Sequence, residues 1–140
     1  MQRLFASRSA GIAGVGIAIL RVAVGVFFAS VSIGKFVDHA AEAADFQRYG
    51  VPAPGFSVYM VGTIELVGGI LLVVGLCTRP AAVALATTMV GAISTAGRVD
   101  GGSFHLGVAP TALVLLLFLV WSGSGAFALD QYLARRSGDG

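Results

Sequence analysis

An apolar run from Val58 to Gly75 carries a single charge, Glu65. A helical stretch of that length is close to what the hydrocarbon of a bilayer demands. A carboxylate placed inside it is costly enough to imply a partner or a functional site. The rest of the chain fits the same environment. Of its 140 residues 56% are hydrophobic and only 11% charged, with a mean hydropathy of +0.89. Soluble domains carry roughly 25% charged residues. The net charge of +2 is small and dispersed, which excludes nucleic-acid binding through a basic face. One cysteine, Cys77, excludes an internal disulfide and internal dithiol chemistry.

Four apolar segments predict an all-α, four-transmembrane-helix antiparallel bundle, since only helices or closed barrels satisfy their backbone groups in lipid. A single domain covers residues 1–140, with spans at about 14–36, 57–76, 80–96 and 106–122. Pro80 suits a first helical turn. The last two segments fall short of the roughly 20 residues a span needs, so they require flanking residues or a thinned bilayer. Only Cys77 to Arg79 separates the second and third, which makes them an antiparallel hairpin. With both termini cytoplasmic, Arg3, Arg8, Arg79, Arg135 and Arg136 lie inside. Asp38, Glu42 and Asp45 then form an acidic external loop with Arg48, while Arg98 is also outside and Lys35 sits near a boundary, in keeping with the positive-inside rule. Trp121 fits an interfacial anchor. A cleaved leader is disfavoured, because Arg21 interrupts the first apolar stretch and no small-x-small cleavage site follows.

Two helical stripes organise the first two spans. Arg21, Gly25, Phe28, Ser32 and Lys35 recur at spacings of four and three, which places both basic residues on one face. They lie about 21 Å apart along the axis. Gly25 with Ala29, and Ser30 with Gly34, are small-xxx-small pairs that admit a neighbouring helix. Gly62, Glu65 and Gly69 share a face of the second span, flanked by Gly68, so Glu65 points to a packed surface and away from lipid. Long basic side chains displace their charges well away from their Cα atoms. The expectation is a buried polar cluster of Arg21, Lys35 and Glu65, acting as a structural lock or as a ligand or proton site.

Other residues make weaker cases. His39, Glu42 and His105 would share the external side and are the candidates for a metal site, although no recognised ligand spacing joins them. Cys77 beside Arg79 is a candidate reactive thiol, since a neighbouring cation favours thiolate. Gly101-Gly102 and Gly123-Ser124-Gly125 read as turns, with neither the strand nor the lysine of a phosphate loop. Thr87, Thr88, Ser94 and Thr95 are expected to hydrogen-bond between helices.

The chain resembles the DoxX family of small bacterial four-helix membrane proteins. The resemblance lies in Arg21-Val22-Ala23-Val24-Gly25-Val26-Phe27-Phe28 with Gly34-Lys35-Phe36, then Tyr49-Gly50-Val51-Pro52-Ala53-Pro54. It continues through Glu65-Leu66-Val67-Gly68-Gly69-Ile70-Leu71-Leu72 and Gly75-Leu76-Cys77-Thr78-Arg79, and closes on Gly123-Ser124-Gly125-Ala126-Phe127-Ala128-Leu129-Asp130. The chain departs from the family where its final span opens on Ala109-Pro110-Thr111 in place of an acidic or aromatic pair. The family includes the small subunit type of a membrane thiosulfate:quinone oxidoreductase, and membrane anchors for soluble enzymes of thiol and superoxide detoxification. The resemblance therefore implies an accessory subunit of a redox complex in the bacterial inner membrane, more a non-catalytic membrane subunit than an independent enzyme. A quinone head group or an anionic sulfur compound would meet Arg21, Lys35 and Glu65, and a soluble redox enzyme would dock on Arg79, Arg135 and Arg136. No flavin, haem or iron–sulfur signature is present, so electrons would come from that partner. The competing reading is a small transporter with Glu65 as its proton or cation site, which at this length would need a homo-oligomer to enclose a path.

Overall fold

The computed structural model describes residues 11–136, with side chains through Leu133. Arg3 and Arg8 lie outside the described residues. The elements are α1 (Ile12–Val37), α2 (His39–Arg48), α3 (Pro54–Val74), α4 (Thr78–Ser94), a short α5 (Ala96–Val99), a π-helical turn (Phe104–Val108), α6 (Ala109–Ser122) and α7 (Leu129–Arg136).

Four helices are long and apolar enough to cross a membrane: Ile12–Val37, Pro54–Val74, Thr78–Val99 and Phe104–Ser122. The two short segments reach this length with flanking residues. The third continues through α5, and the fourth begins in the π-helical turn. α3 starts on Pro54 at its first turn, where a missing N–H costs nothing. It stops at Gly75, whose φ of 74° lets Gly75 and Leu76 both donate to the Leu71 carbonyl, a glycine-based helix end. The acidic loop is itself a helix, α2, packed on α3.

α1 packs closely on α3, and α4 on α6; α3 meets α4, whereas α1 and α6 touch only lightly. The tightest crossing is between Gly25 and Gly69. A Cβ on Gly69 would lie 2.7 Å from both the Ala29 nitrogen and the Gly25 oxygen, so the two backbones are in contact. In this membrane setting the small-residue faces set helix approach. Phe28, Leu72, Leu85, Leu116 and Leu119 fill the centre with little or no exposure. The four hydroxyl residues expected to bond between helices do not bridge them. Thr87 donates to Val83 O, Thr88 to Leu85 O, and Ser94 and Thr95 to Gly91 O. A carbonyl one turn back in the same helix satisfies each hydroxyl first.

After α6 the chain folds back as a strap across the helix ends. Ala126 N donates to Gly14 O at 2.8 Å and Asp130 N to Gly75 O at 2.9 Å. The Asp130 carboxylate then accepts from Cys77 N at 2.7 Å and Thr78 N at 3.0 Å. Thus α4, whose own first residues supply no side-chain cap, is capped by a residue from the far end of the chain.

Candidate functional site

Lys35 lies in the last turns of α1, and Glu65 lies at mid-length in α3. The close α1–α3 crossing carries their side chains together, with Lys35 Nζ 3.0 Å from Glu65 Oε2. Glu65 is only 3% exposed. The contact is an ion pair whose orientation leaves Oε2 without a hydrogen bond among the described residues. Two charges are therefore placed in a low-dielectric wall with hydrogen-bonding capacity unspent. Such a pair is stabilised chiefly when further groups complete its hydrogen bonds.

That wall belongs to a cavity of about 670 Å³. Phe27, Val31, Met60 and Ile64 make much of its apolar lining, while Lys35, Glu65, Glu42 and His105 are among its polar groups. This size and character, mostly apolar with a few convergent polar groups, is that of a small-molecule site. The π-helical turn contributes Phe104 and His105 to the lining; such turns are frequent at functional sites.

α2 closes one side of the cavity, contributing Glu42, Asp45 and Phe46. Its end is latched to the end of α5. Arg48 Nη2 lies 2.9 Å from Asp100 Oδ2 and 3.0 Å from Asp45 Oδ1, and the Tyr49 hydroxyl donates to Asp100 Oδ2 at 2.6 Å. Asp100 raises the proton affinity of the Arg48 guanidinium. Partial burial, followed by the bond to Asp100, pushes the Tyr49 phenol above its ordinary value. The folded phenol therefore holds its proton more tightly than the unfolded one. Its contribution is complete below the unfolded value, about pH 10, and is lost as pH rises through the folded value. Tyr49→Phe removes the bond donated to Asp100 and the longer one accepted from Arg48 Nη2 at 3.4 Å, together about 1 kcal/mol at this exposed position. Amide exchange across α2 is expected to quicken about fivefold at neutral pH, with the four spans unchanged. Exchange mass spectrometry in detergent at pH 7 and pH 11 checks this, and the parent should approach the variant at the higher pH.

The expected three-residue cluster divides in two. Arg21 does not line the cavity. It lies fourteen positions before Lys35 on a straight helix, about 21 Å away, beyond the reach of its side chain. It is 2% exposed and packs against Gly75, where a Cβ would collide with its guanidinium. The acid acting on it is Asp130. Sequence reasoning missed that partner, although the residue ends the last of the motifs carrying the family resemblance.

The histidines do not form a metal centre. Among the described residues no three His, Cys, Asp or Glu side chains converge for an ion. His39 stacks on Tyr59, with ring centres 3.8 Å apart and planes at 12°, which fixes it against α3. His105 meets the edges of Tyr49 and Phe104. Aromatic neighbours hold both imidazoles, and His39 does not line the cavity that Glu42 and His105 share. Arg79 is half-buried in the first turn of α4. Arg135 and Arg136 fall in the last turn of α7, and their side chains lie outside the described residues.

These features define a small four-span membrane protein with a buried ion pair in the wall of a ligand-sized cavity. The chain belongs to the DoxX family, whose profile matches residues 16–98. It is 39% identical over 133 residues to an uncharacterized membrane protein of Mycobacterium tuberculosis, covering 84% of this chain and 81% of that protein. A Bacillus subtilis protein named "Putative oxidoreductase CatD" is 33% identical over 129 residues, 90% of this chain and 92% of that one. An uncharacterized protein of Haemophilus influenzae is 34% identical over 126 residues, 82% of this chain and 88% of its own length. No solved structure is significantly similar to the chain.

Proposed function

We propose that this protein is the membrane subunit of a redox complex in the bacterial inner membrane, and that its cavity takes the head of a quinone. The observation that carries the reading is the Lys35–Glu65 ion pair at 3.0 Å, with Glu65 almost fully buried, in the wall of a largely apolar cavity. A quinone ring needs apolar walls, a donor for its carbonyl and an acceptor for the hydroxyl of its reduced form. Lys35 supplies the donor and Glu65 the acceptor, and a cavity of about 670 Å³ has room for such a ring. A quinone bound there would supply two-electron, two-proton chemistry. The name of the Bacillus subtilis relative, an oxidoreductase, points the same way. Electrons would come from a soluble enzyme docked at the Arg79 end, where the basic residues Arg79, Arg135 and Arg136 gather if both termini are cytoplasmic.

The test is purification of the tagged protein from its native membranes in mild detergent, with bound quinone and accompanying proteins identified by mass spectrometry. The parent is expected to retain both. Glu65→Gln should accumulate within about twofold of the parent, because the Lys35 side chain is 14% exposed and can carry its charge toward water. It should lose quinone at least tenfold while keeping the enzyme partner. Recovery of the parent chain alone, without quinone, would overturn the reading.

A further inference from the structure

Between α1 and α6, where the bundle is loosely packed, lies a second space of about 430 Å³. It is lined by Leu20, Ala23 and Val24 of α1 and by Gly107, Thr111 and Leu115 across from them. It is more apolar than the cavity, it is more open, and Ala23 and Gly107 on its walls are exposed at the surface that spans the membrane. The two spaces share one wall residue, Phe27. This ring is only partly buried and stands edge-on to the fully buried Phe28, with centres 5.3 Å apart. The π-helical turn separates them on the other side, turning Phe104 and His105 to the cavity and Gly107 and Val108 to the groove.

Resting on the quinone reading of the cavity, we infer that the ligand is a long-chain amphiphile, whose head meets Lys35 and Glu65 and whose apolar chain passes Phe27 into the α1–α6 groove. The charged groups lie at one end of this path, and the groove has only the hydroxyls of Ser103 and Thr111 and no charge. That division suits a molecule with a proton-exchanging head and a hydrocarbon tail. A small water-soluble anion would leave the groove empty. Entry is then sideways from the bilayer, and the α2 latch stays closed during it. Leu20 to Phe27 spans about 10 Å of helix axis, so the groove covers roughly the first 10 Å of the chain and the remainder continues into lipid.

The groove can be filled without disturbing the fold. A Cβ on Gly107 would meet nothing within 4 Å, and Ala23 is exposed, so Gly107→Leu and Ala23→Phe add bulk to open space from opposite walls. The probes are 2,3-dimethoxy-5-methyl-benzoquinone with a decyl chain and the same ring without it, measured by equilibrium binding to the purified full-length protein in nanodiscs. The parent should bind both, the decyl form at least tenfold more tightly after correction for partition into lipid. Both variants should lose about tenfold for the decyl probe and remain within twofold for the bare ring. Equal binding of the decyl probe by parent and both variants would overturn the groove assignment while leaving the cavity reading intact. Failure of the parent to bind either probe would overturn both.

Discussion

Asp130→Ala is expected to lower stability by about 3–5 kcal/mol and the melting temperature in detergent by roughly 10 °C. Asp130 is 1% exposed and serves three elements at once. Its carboxylate accepts the first free backbone N–H groups of α4, from Cys77 and Thr78. Hydrogen bonds from backbone to a buried charge are worth about 1.5–3 kcal/mol each. It also holds Cys77, whose φ of 50° is unusual for a side-chain-bearing residue. Finally, it is the counter-charge of Arg21, whose Nε and Nη1 are buried without hydrogen bonds among the described residues. Removing one member of a buried pair leaves the other charge uncompensated, and that cost exceeds the loss of the attraction itself. Asp130→Asn keeps an acceptor and should lose about half as much. Arg21→Met added to Asp130→Ala should restore a large part, since it removes the stranded charge. An Asp130→Ala protein that melts with the parent would show that the strap does not hold the helix ends.

The two buried basic residues of α1 thus have different work. Arg21 feels the charge of an acid that also caps a helix, it does not line the cavity that Lys35 lines, and it packs at one end of the bundle against Gly75. Lys35 pairs with an acid in the wall of a cavity that both residues line. Both began as one stripe on one helix face, and both are largely withdrawn from water, Arg21 more so at 2% exposed than the Lys35 side chain at 14%. What distinguishes them is whether the partner's remaining hydrogen-bond sites are filled by the protein. For Asp130 two backbone N–H groups fill them; Glu65 Oε2 has Lys35 Nζ at 3.0 Å and no further partner among the described residues.

That contrast also marks what could be read before the fold was known. The four spans follow from apolar runs bounded by turn residues, because a bilayer leaves an apolar segment few alternatives. The meeting of Lys35 and Glu65 was legible from the small residues on both helices and from depth along the axis. The partner of Arg21 was not. Asp130 lies beyond the fourth span, more than a hundred residues later, and only the three-dimensional return of the strap brings it back. Nor does any sequence period announce the groove between α1 and α6, which depends on those helices touching lightly, or the π-helical turn, which needs only one extra residue in a helical turn. The histidines misled for a related reason: residue type suggested ligands, but Tyr59, Tyr49 and Phe104 offered the rings better packing.

Gly69→Leu should have an effect of comparable size and link fold to site. At the α1–α3 crossing a Cβ on Gly69 would already sit 2.7 Å from backbone atoms of Ala29 and Gly25, and a Cβ on Gly25 would sit 2.6 Å from Gly69 O. Backbone cannot rotate away as a flexible side chain can, so the helices must separate. Overpacking a tight interior typically costs 1–3 kcal/mol, and a side chain with four carbons forced between two backbones belongs at or above the upper end. Because α1 carries Lys35 and α3 carries Glu65, the same displacement lengthens the 3.0 Å ion pair and opens the cavity wall. The expected result is a melting temperature lowered by about 10 °C and, on the proposed reading of the cavity, loss of quinone from the purified protein. Gly16→Leu is the matched control: it lies on the same α1 helix, and its Cβ would meet nothing within 4 Å. It should melt within a degree or two of the parent and keep its ligand. Thermal melting of both variants in one detergent decides the matter. If Gly69→Leu melts like Gly16→Leu, the two backbones do not meet at Gly25 and Gly69, and the pairing of Lys35 with Glu65 loses the crossing that positions it.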